Sequence, residues 1–172
     1  MLKVGIIGYG KMGRIRHREI IAGGKAEVVS IFDPVEIDSC LPCATIADEV
    51  IENSAIDAVF ICTPNYLNKH LTVQALKAGK HVFCEKPPAF NAADVEEVQA
   101  VEKVSGKVLM YGFNHRHHES VQHMKKTISS QEFGRVLWMR GRYGKSVDES
   151  FYNNWRSKKD LAGGGILIDQ GI

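Results

Sequence analysis

The sequence predicts an α/β fold, a doubly wound parallel sheet followed by the incomplete start of a second α/β domain. Three observations carry this. Short apolar runs of four to seven residues alternate with segments of helical apolar spacing, the pattern of strands buried on both faces and of crossover helices. The first apolar run leads directly into a glycine turn, Gly8-Tyr9-Gly10-Lys11-Met12-Gly13. Past Arg116 the alternation stops, which divides the chain into residues 1–118 and 119–172.

Taken in order, Lys3 to Ile7 reads as a buried strand, and Met12 to Ala22 as the helix that follows the glycine turn. Ala26 to Phe32 is a second strand ending in Asp33. Ala47 to Ile51 suggests a short helix. Asp57 to Cys62 is a third strand, stopped by Thr63-Pro64-Asn65. Leu67, Leu71, Ala75 and Leu76 repeat at helical spacing between Tyr66 and Ala78, and Gly79 ends that helix. His81 to Cys84 is a fourth strand, Asn91 caps a helix through Val95, Val98 and Val101, and Lys107 to Tyr111 is a fifth strand. Beyond it, Glu119 to Ser130 reads as a helix, Gly134 to Tyr143 as one long strand, and Asp148 to Lys159 as a polar loop. One strand and a helix leave a sheet edge without partners, so residues 119–172 read as a truncated beginning of a domain whose free edge invites pairing with another chain.

The composition excludes several classes. A net charge of +2 with dispersed Lys and Arg gives no basic stripe for nucleic acid or an anionic membrane. Met1 leads into the first strand, and no apolar run approaches the roughly 18 residues of a membrane span, so a cytoplasmic location is expected. Cys40, Cys43, Cys62 and Cys84 then read as free thiols. The Cys40-x-x-Cys43 spacing lies in a polar loop without a second pair to complete a four-ligand zinc site, and no metal is expected there or at His115-Arg116-His117-His118.

The glycine turn carries the chemistry. Gly8, Gly10 and Gly13 match G-x-G-x-x-G, in which the first glycine makes the turn, the second admits a pyrophosphate and the third lets helix and strand pack closely. The diphosphate would rest on the free N–H groups of the helix opening at Lys11 and Met12. Asp33, twenty residues after Gly13, stands where a carboxylate meets the adenosine ribose hydroxyls. Strand, glycine turn, helix, strand and terminal acid in this order predict a Rossmann domain binding NAD, with Asp33 repelling the 2′-phosphate of NADP. Ligands of such sheets bind beyond the carboxyl ends of the strands, which brings in the loops at Thr63-Pro64-Asn65, Glu85-Lys86-Pro87 and Gly112 to His115. A lysine at Lys86 would stabilise the charge that develops on an alcohol oxygen as its carbon gives up hydride, or assist in taking its proton.

Gly8-x-Gly10-x-x-Gly13, Thr63-Pro64-Asn65, Ala78-Gly79-Lys80-His81-Val82-Phe83-Cys84-Glu85-Lys86-Pro87, Gly112-Phe113-Asn114 and Gly163-Gly164-Gly165-Ile166-Leu167-Ile168-Asp169-Gln170-Gly171 together resemble the glucose–fructose oxidoreductase, inositol dehydrogenase and rhizopine catabolism (Gfo/Idh/MocA) family over the whole chain. The resemblance implies an NAD-dependent oxidoreductase of a sugar, cyclitol or nucleotide sugar that forms a homo-oligomer when complete. It implies that Lys86 and Asp169 are catalytic, and that Asn114, His70 and Glu85 join the glycine turn, Asp33, Thr63, Pro64, Asn65 and Lys86 around the cofactor. Two departures stand out. Asn68 occupies the position where many members of the family have histidine, with His70 two residues on, and the chain ends at Ile172, one residue before the expected catalytic histidine. As given, the chain is therefore expected to bind NAD without efficient turnover. Trp155-Arg156 reads either as part of the sugar-facing wall or, for Trp155, as simple core.

Overall fold

The computed structural model describes residues 1–36, 39–142, 144, 146–165 and 167–168. Five strands, β1 (Leu2–Ile7), β2 (Ala26–Phe32), β3 (Ala58–Ile61), β4 (His81–Cys84) and β5 (Leu109–Tyr111), form one sheet in the order β2-β1-β3-β4-β5. All four pairings are parallel. The crossovers carry α1 (Lys11–Gly23), α2 (Ala47–Glu52), α3 (Asn65–Lys77) and α4 (Ala92–Ser105). The Rossmann expectation holds.

The inner residues of the strands are apolar because helices cover the sheet. Ile6, Ile7, Ile31, Val59, Ile61 and Cys84 are almost wholly excluded from solvent. On one side Leu71, Ala75 and Leu76 of α3, Val50 and Ile51 of α2 and Val98 of α4 close over the sheet. Burying a side chain such as Ile61 or Leu76 contributes roughly 2 kcal/mol each. The helix ends follow the residues that cap them. Asn91 accepts from the Asp94 N–H at the start of α4, and Gly24 and Gly106 end α1 and α4 in left-handed conformation.

Register lines up the strand ends. Ile7 pairs with Phe32 and Ile61, Ile61 with Cys84, and Cys84 with Tyr111. The residues that follow them, Gly8, Asp33, Cys62, Glu85 and Gly112, therefore emerge in one row across the sheet. This row is the floor of the site.

The Cys40–Cys43 loop lies along the outer edge of β2. The Ile31 N–H donates to the Pro42 carbonyl and the Ala44 N–H to the Ile31 carbonyl, which satisfies part of an otherwise bare edge. At the opposite end of the sheet, buried Lys80 donates to the carbonyls of Asn53 and Ile56, tying β4 to the turn after α2.

Residues after 118 depart from the expectations in two places. α5 (Glu119–Ser130) forms, but residues 134–142 join no ladder. Alternating apolar residues suit a strand only where a neighbour accepts their backbone groups, and here Phe133, Leu137, Trp138 and Met139 are all exposed. The expected polar loop contains two 3-10 turns, Glu149–Asn153 and Trp155–Ser157, nucleated by the Asp148 and Asn154 side chains, and then α6 (Lys159–Ala162). Among the described residues no helix is long and apolar enough to cross a membrane.

Candidate active site

The strand-end row opens into a cleft of about 1910 Å³, walled on its far side by Trp155, Arg156 and the Gly164-Gly165 run. Gly8, Gly10, Lys11, Met12, Asp33, Thr63, Pro64, Asn65, Glu85, Lys86 and Asn114 all line it. Gly13 and His70 do not. Gly13 is buried beneath the turn, and His70 lies on the exposed side of α3.

The three glycines of the turn meet different surroundings. Gly8 adopts φ +88°, and a Cβ there would stand 2.6 Å from the Cys62 carbonyl oxygen. A Cβ on Gly13 would stand 2.2 Å from the Gly8 carbonyl oxygen, so α1 could not approach β1. Gly10 has no protein atom within 4 Å of its missing Cβ. The space over it is open. It adjoins the start of α1, whose first-turn N–H groups and positive dipole end suit a diphosphate.

Asp33 completes this half. One carboxylate oxygen accepts the Tyr9 N–H at 2.7 Å and the other the Val35 N–H at 3.0 Å. The carboxylate is thereby locked against the glycine turn, with a lone pair left on each oxygen for ribose hydroxyls. Tyr9 is buried below, and its hydroxyl hydrogen-bonds to Nδ1 of His17 on α1. Burial lowers the pKa of His17, which favours the neutral ring.

The other half centres on Glu85-Lys86-Pro87, where the Lys86–Pro87 peptide is cis. Glu85 is 7% exposed and receives the Arg16 guanidinium, Nε at 2.7 Å and Nη2 at 2.5 Å from Oε1. Arg16 also donates to Asn114 Oδ1 at 3.1 Å and lies 4.9 Å over the Phe83 ring. Sequence reading missed Arg16. Its partners are 69 and 98 residues away, and no local pattern signals such pairs.

Thr63, Pro64 and Asn65 form the third loop of the row. Asn65 is buried, and its amide donates to the Ala162 carbonyl at 3.0 Å, so the crevice loop is tied to the end of α6. Gly163 follows in left-handed conformation, packed so closely on Phe90 that a Cβ would stand 2.2 Å from the ring. The Arg156 guanidinium stacks 4.4 Å over Trp155. Asp169, expected on the segment beyond, lies outside the described residues. Among the described residues no group of three or more His, Cys, Asp or Glu could hold a metal.

Two thiols lie at the row, Cys62 within it and Cys84 one residue before Glu85. Burial and then the Glu85 charge push Cys62 up to about 12, with Arg16 acting in the opposite direction. Burial raises Cys84 further. Neither is a nucleophile at neutral pH.

Family models match the chain in two parts. One, described as an oxidoreductase family with an NAD-binding Rossmann fold, covers residues 2–113, and the other, a GFO/IDH/MocA C-terminal domain, covers residues 121–172. A 2,7-anhydro-N-acetylneuraminate hydratase of Escherichia coli is 27% identical over 171 residues, 96% of this chain and 46% of that protein. An NAD-binding protein from Listeria innocua superposes with a TM-score of 0.82 at 29% identity, covering 99% of this chain and 51% of the other. A levoglucosan dehydrogenase in complex with NADH and levoglucosan superposes at 0.81 with 27% identity, covering 98% and 50%. The chain thus spans about half the length of the relatives it matches.

Proposed function

The chain belongs to the Gfo/Idh/MocA oxidoreductase family, and from that premise we propose that it takes part in NAD-dependent oxidation or reduction at a secondary alcohol of a sugar, cyclitol or nucleotide sugar. One observation carries the reading. The register places the glycine turn, Asp33 and Lys86 in a single row along one cleft, a turn and acid suited to the adenosine diphosphate at one end and a lysine at the other.

The residues fit NAD. The empty space over Gly10 admits a pyrophosphate, α1 offers N–H donors beside it, and Asp33 presents anchored oxygens where a 2′-phosphate would be repelled. When bound, the nicotinamide ring supplies the hydride acceptor or donor. Lys86 then holds the charge that develops on the substrate oxygen, which is the interaction that differs most between ground and transition state. Arg16 neutralises Glu85 beside it. Trp155 offers an apolar ring face to the C–H surface of a sugar, and Arg156 offers donors to its hydroxyls. Asp169 is assigned a substrate-facing carboxylate on the resemblance alone, and the assignment of His70 to the cofactor rests on the same ground. Homo-oligomer formation is proposed through the exposed apolar side chains of Phe133, Val136, Leu137, Trp138 and Met139.

A second reading is NAD binding without turnover: Asp33 is anchored by two hydrogen bonds in the cofactor half of the cleft, whereas Phe133, Leu137, Trp138 and Met139 stand exposed and line no part of it. NAD reduction assayed with levoglucosan, myo-inositol, D-glucose and a uridine diphosphate sugar separates the two. Turnover that falls by about 10² or more in Lys86→Met supports the first. NADH binding with no turnover on any of the four supports the second, and turnover unaffected by Lys86→Met contradicts the role of Lys86.

A further inference from the structure

We propose that Asn68 is a positioning residue that fixes the Lys86 segment in the crevice, a proposal that rests on the reading of Lys86 given above. Asn68 lies on α3, wholly excluded from solvent. Its amide nitrogen donates to the Glu85 carbonyl at 3.1 Å and to the Pro87 carbonyl at 2.8 Å. These are the carbonyls of the residues on either side of Lys86. Its amide oxygen accepts the Thr63 hydroxyl at 3.2 Å. The orientation of the amide follows from that network, since the carbonyls take only donors.

One side chain thus joins the loop after β3 to the loop after β4 at the level of the cofactor crevice. An apolar residue would fill the same volume, and a buried amide is retained at such a position only where its hydrogen bonds are made. Both amide hydrogens go to the backbone that carries Lys86, and none goes to the sheet. Glu85 is held a second time by Arg16, so Lys86 leaves a backbone fixed at the residue before it and the residue after it. Loss of Asn68 frees this segment while β3 and β4 keep their ladder. Asparagine also keeps the clamp free of titration. A histidine at this place offers, in its neutral form, one N–H to two carbonyls.

The test uses the full chain with ¹³C labelling, as wild type and as Asn68→Ala, Asn68→Asp and Asn68→His. The ¹³C shifts of the Glu85 and Pro87 carbonyl carbons report the two hydrogen bonds whether or not the protein turns over. Titration with NADH and with ADP-ribose, which lacks the nicotinamide, reports where in the crevice the effect is felt. In Asn68→Asp and Asn68→Ala both carbonyl shifts move, NADH binding weakens roughly tenfold and ADP-ribose binding stays within about twofold. Asn68→His, whose neutral ring offers a single N–H for the two carbonyls, restores only part of the NADH affinity. Carbonyl shifts unmoved by Asn68→Asp and Asn68→Ala would overturn the proposal, as would an equal loss of NADH and ADP-ribose affinity, the signature of general loosening. A wild type that binds neither ligand would contradict the cofactor reading instead, and the carbonyl shifts would then decide the clamp alone.

Discussion

Arg16, in the middle of α1, places Nε and Nη2 at 2.7 Å and 2.5 Å from the same carboxylate oxygen of Glu85, at the end of β4. The side chains are 15% and 10% exposed, so neither charge is well solvated. The first helix of the fold and the fourth strand therefore meet at the crevice through an ion pair. Arg16→Met leaves Glu85 buried without its cation, at a cost of about 3 kcal/mol in urea unfolding. Glu85→Gln in the Arg16→Met background recovers most of that loss. A single-variant cost under about 0.5 kcal/mol would mean that the pair behaves as an exposed one.

The three glycines of the turn separate folding from binding. Gly13→Ala drives a Cβ against the Gly8 carbonyl and Gly8→Ala against the Cys62 carbonyl, so both lower Tm and lose NADH affinity together. Gly10→Ala meets nothing in the protein. It keeps Tm within a degree or two while NADH affinity falls by about tenfold or more, as the methyl group occupies the space of the pyrophosphate. Tm and calorimetric Kd on the three variants check this, and an undiminished affinity in Gly10→Ala would contradict the placement of the diphosphate.

Thiol reactivity follows the same geometry. Cys40 and Cys43 are exposed, while Cys62, held up at about 12, and buried Cys84 are protonated across the ordinary range. Titration with a chromogenic disulfide at pH 8 should consume two thiols quickly and the other two only on unfolding. Rapid reaction of four would place Cys62 in a different environment.

His17 gives the turn a pH dependence. Its pKa is lowered in the folded state, so between that value and about 6.5 the unfolded chain binds more protons. Stability is therefore full above about pH 6.5 and is lost as pH falls through the folded value. Thermal unfolding from pH 5 to 8 should show this loss, and Tyr9→Phe together with His17→Gln should remove that component of the slope.

What the sequence made legible is what local pattern encodes. The bounds of β2 and β4 are legible to the residue, because each is a short run rich in apolar and β-branched residues closed off by turn or charged residues. Gly8 and Gly13 were read correctly, because one steric demand maps to one residue type. Residues 134–142 misled, because alternation reports a preference for a pleated surface and cannot supply the neighbour that makes a ladder. Arg16 gave no signal, and Asn68 appeared only as a departure from a familial pattern. Both act through carbonyls or carboxylates that the fold, not the local sequence, brings near.

The central claim is that NAD lies along the strand-end row with its adenosine at Asp33 and its nicotinamide at Lys86. Intermolecular nuclear Overhauser effects in the NAD complex of the labelled chain measure this directly. The account predicts contacts from the nicotinamide ring protons to the Lys86 methylenes and from the adenosine ribose protons to Gly10 and Asp33. Nicotinamide contacts confined to residues away from Lys86, or ribose contacts absent from Asp33, would contradict it.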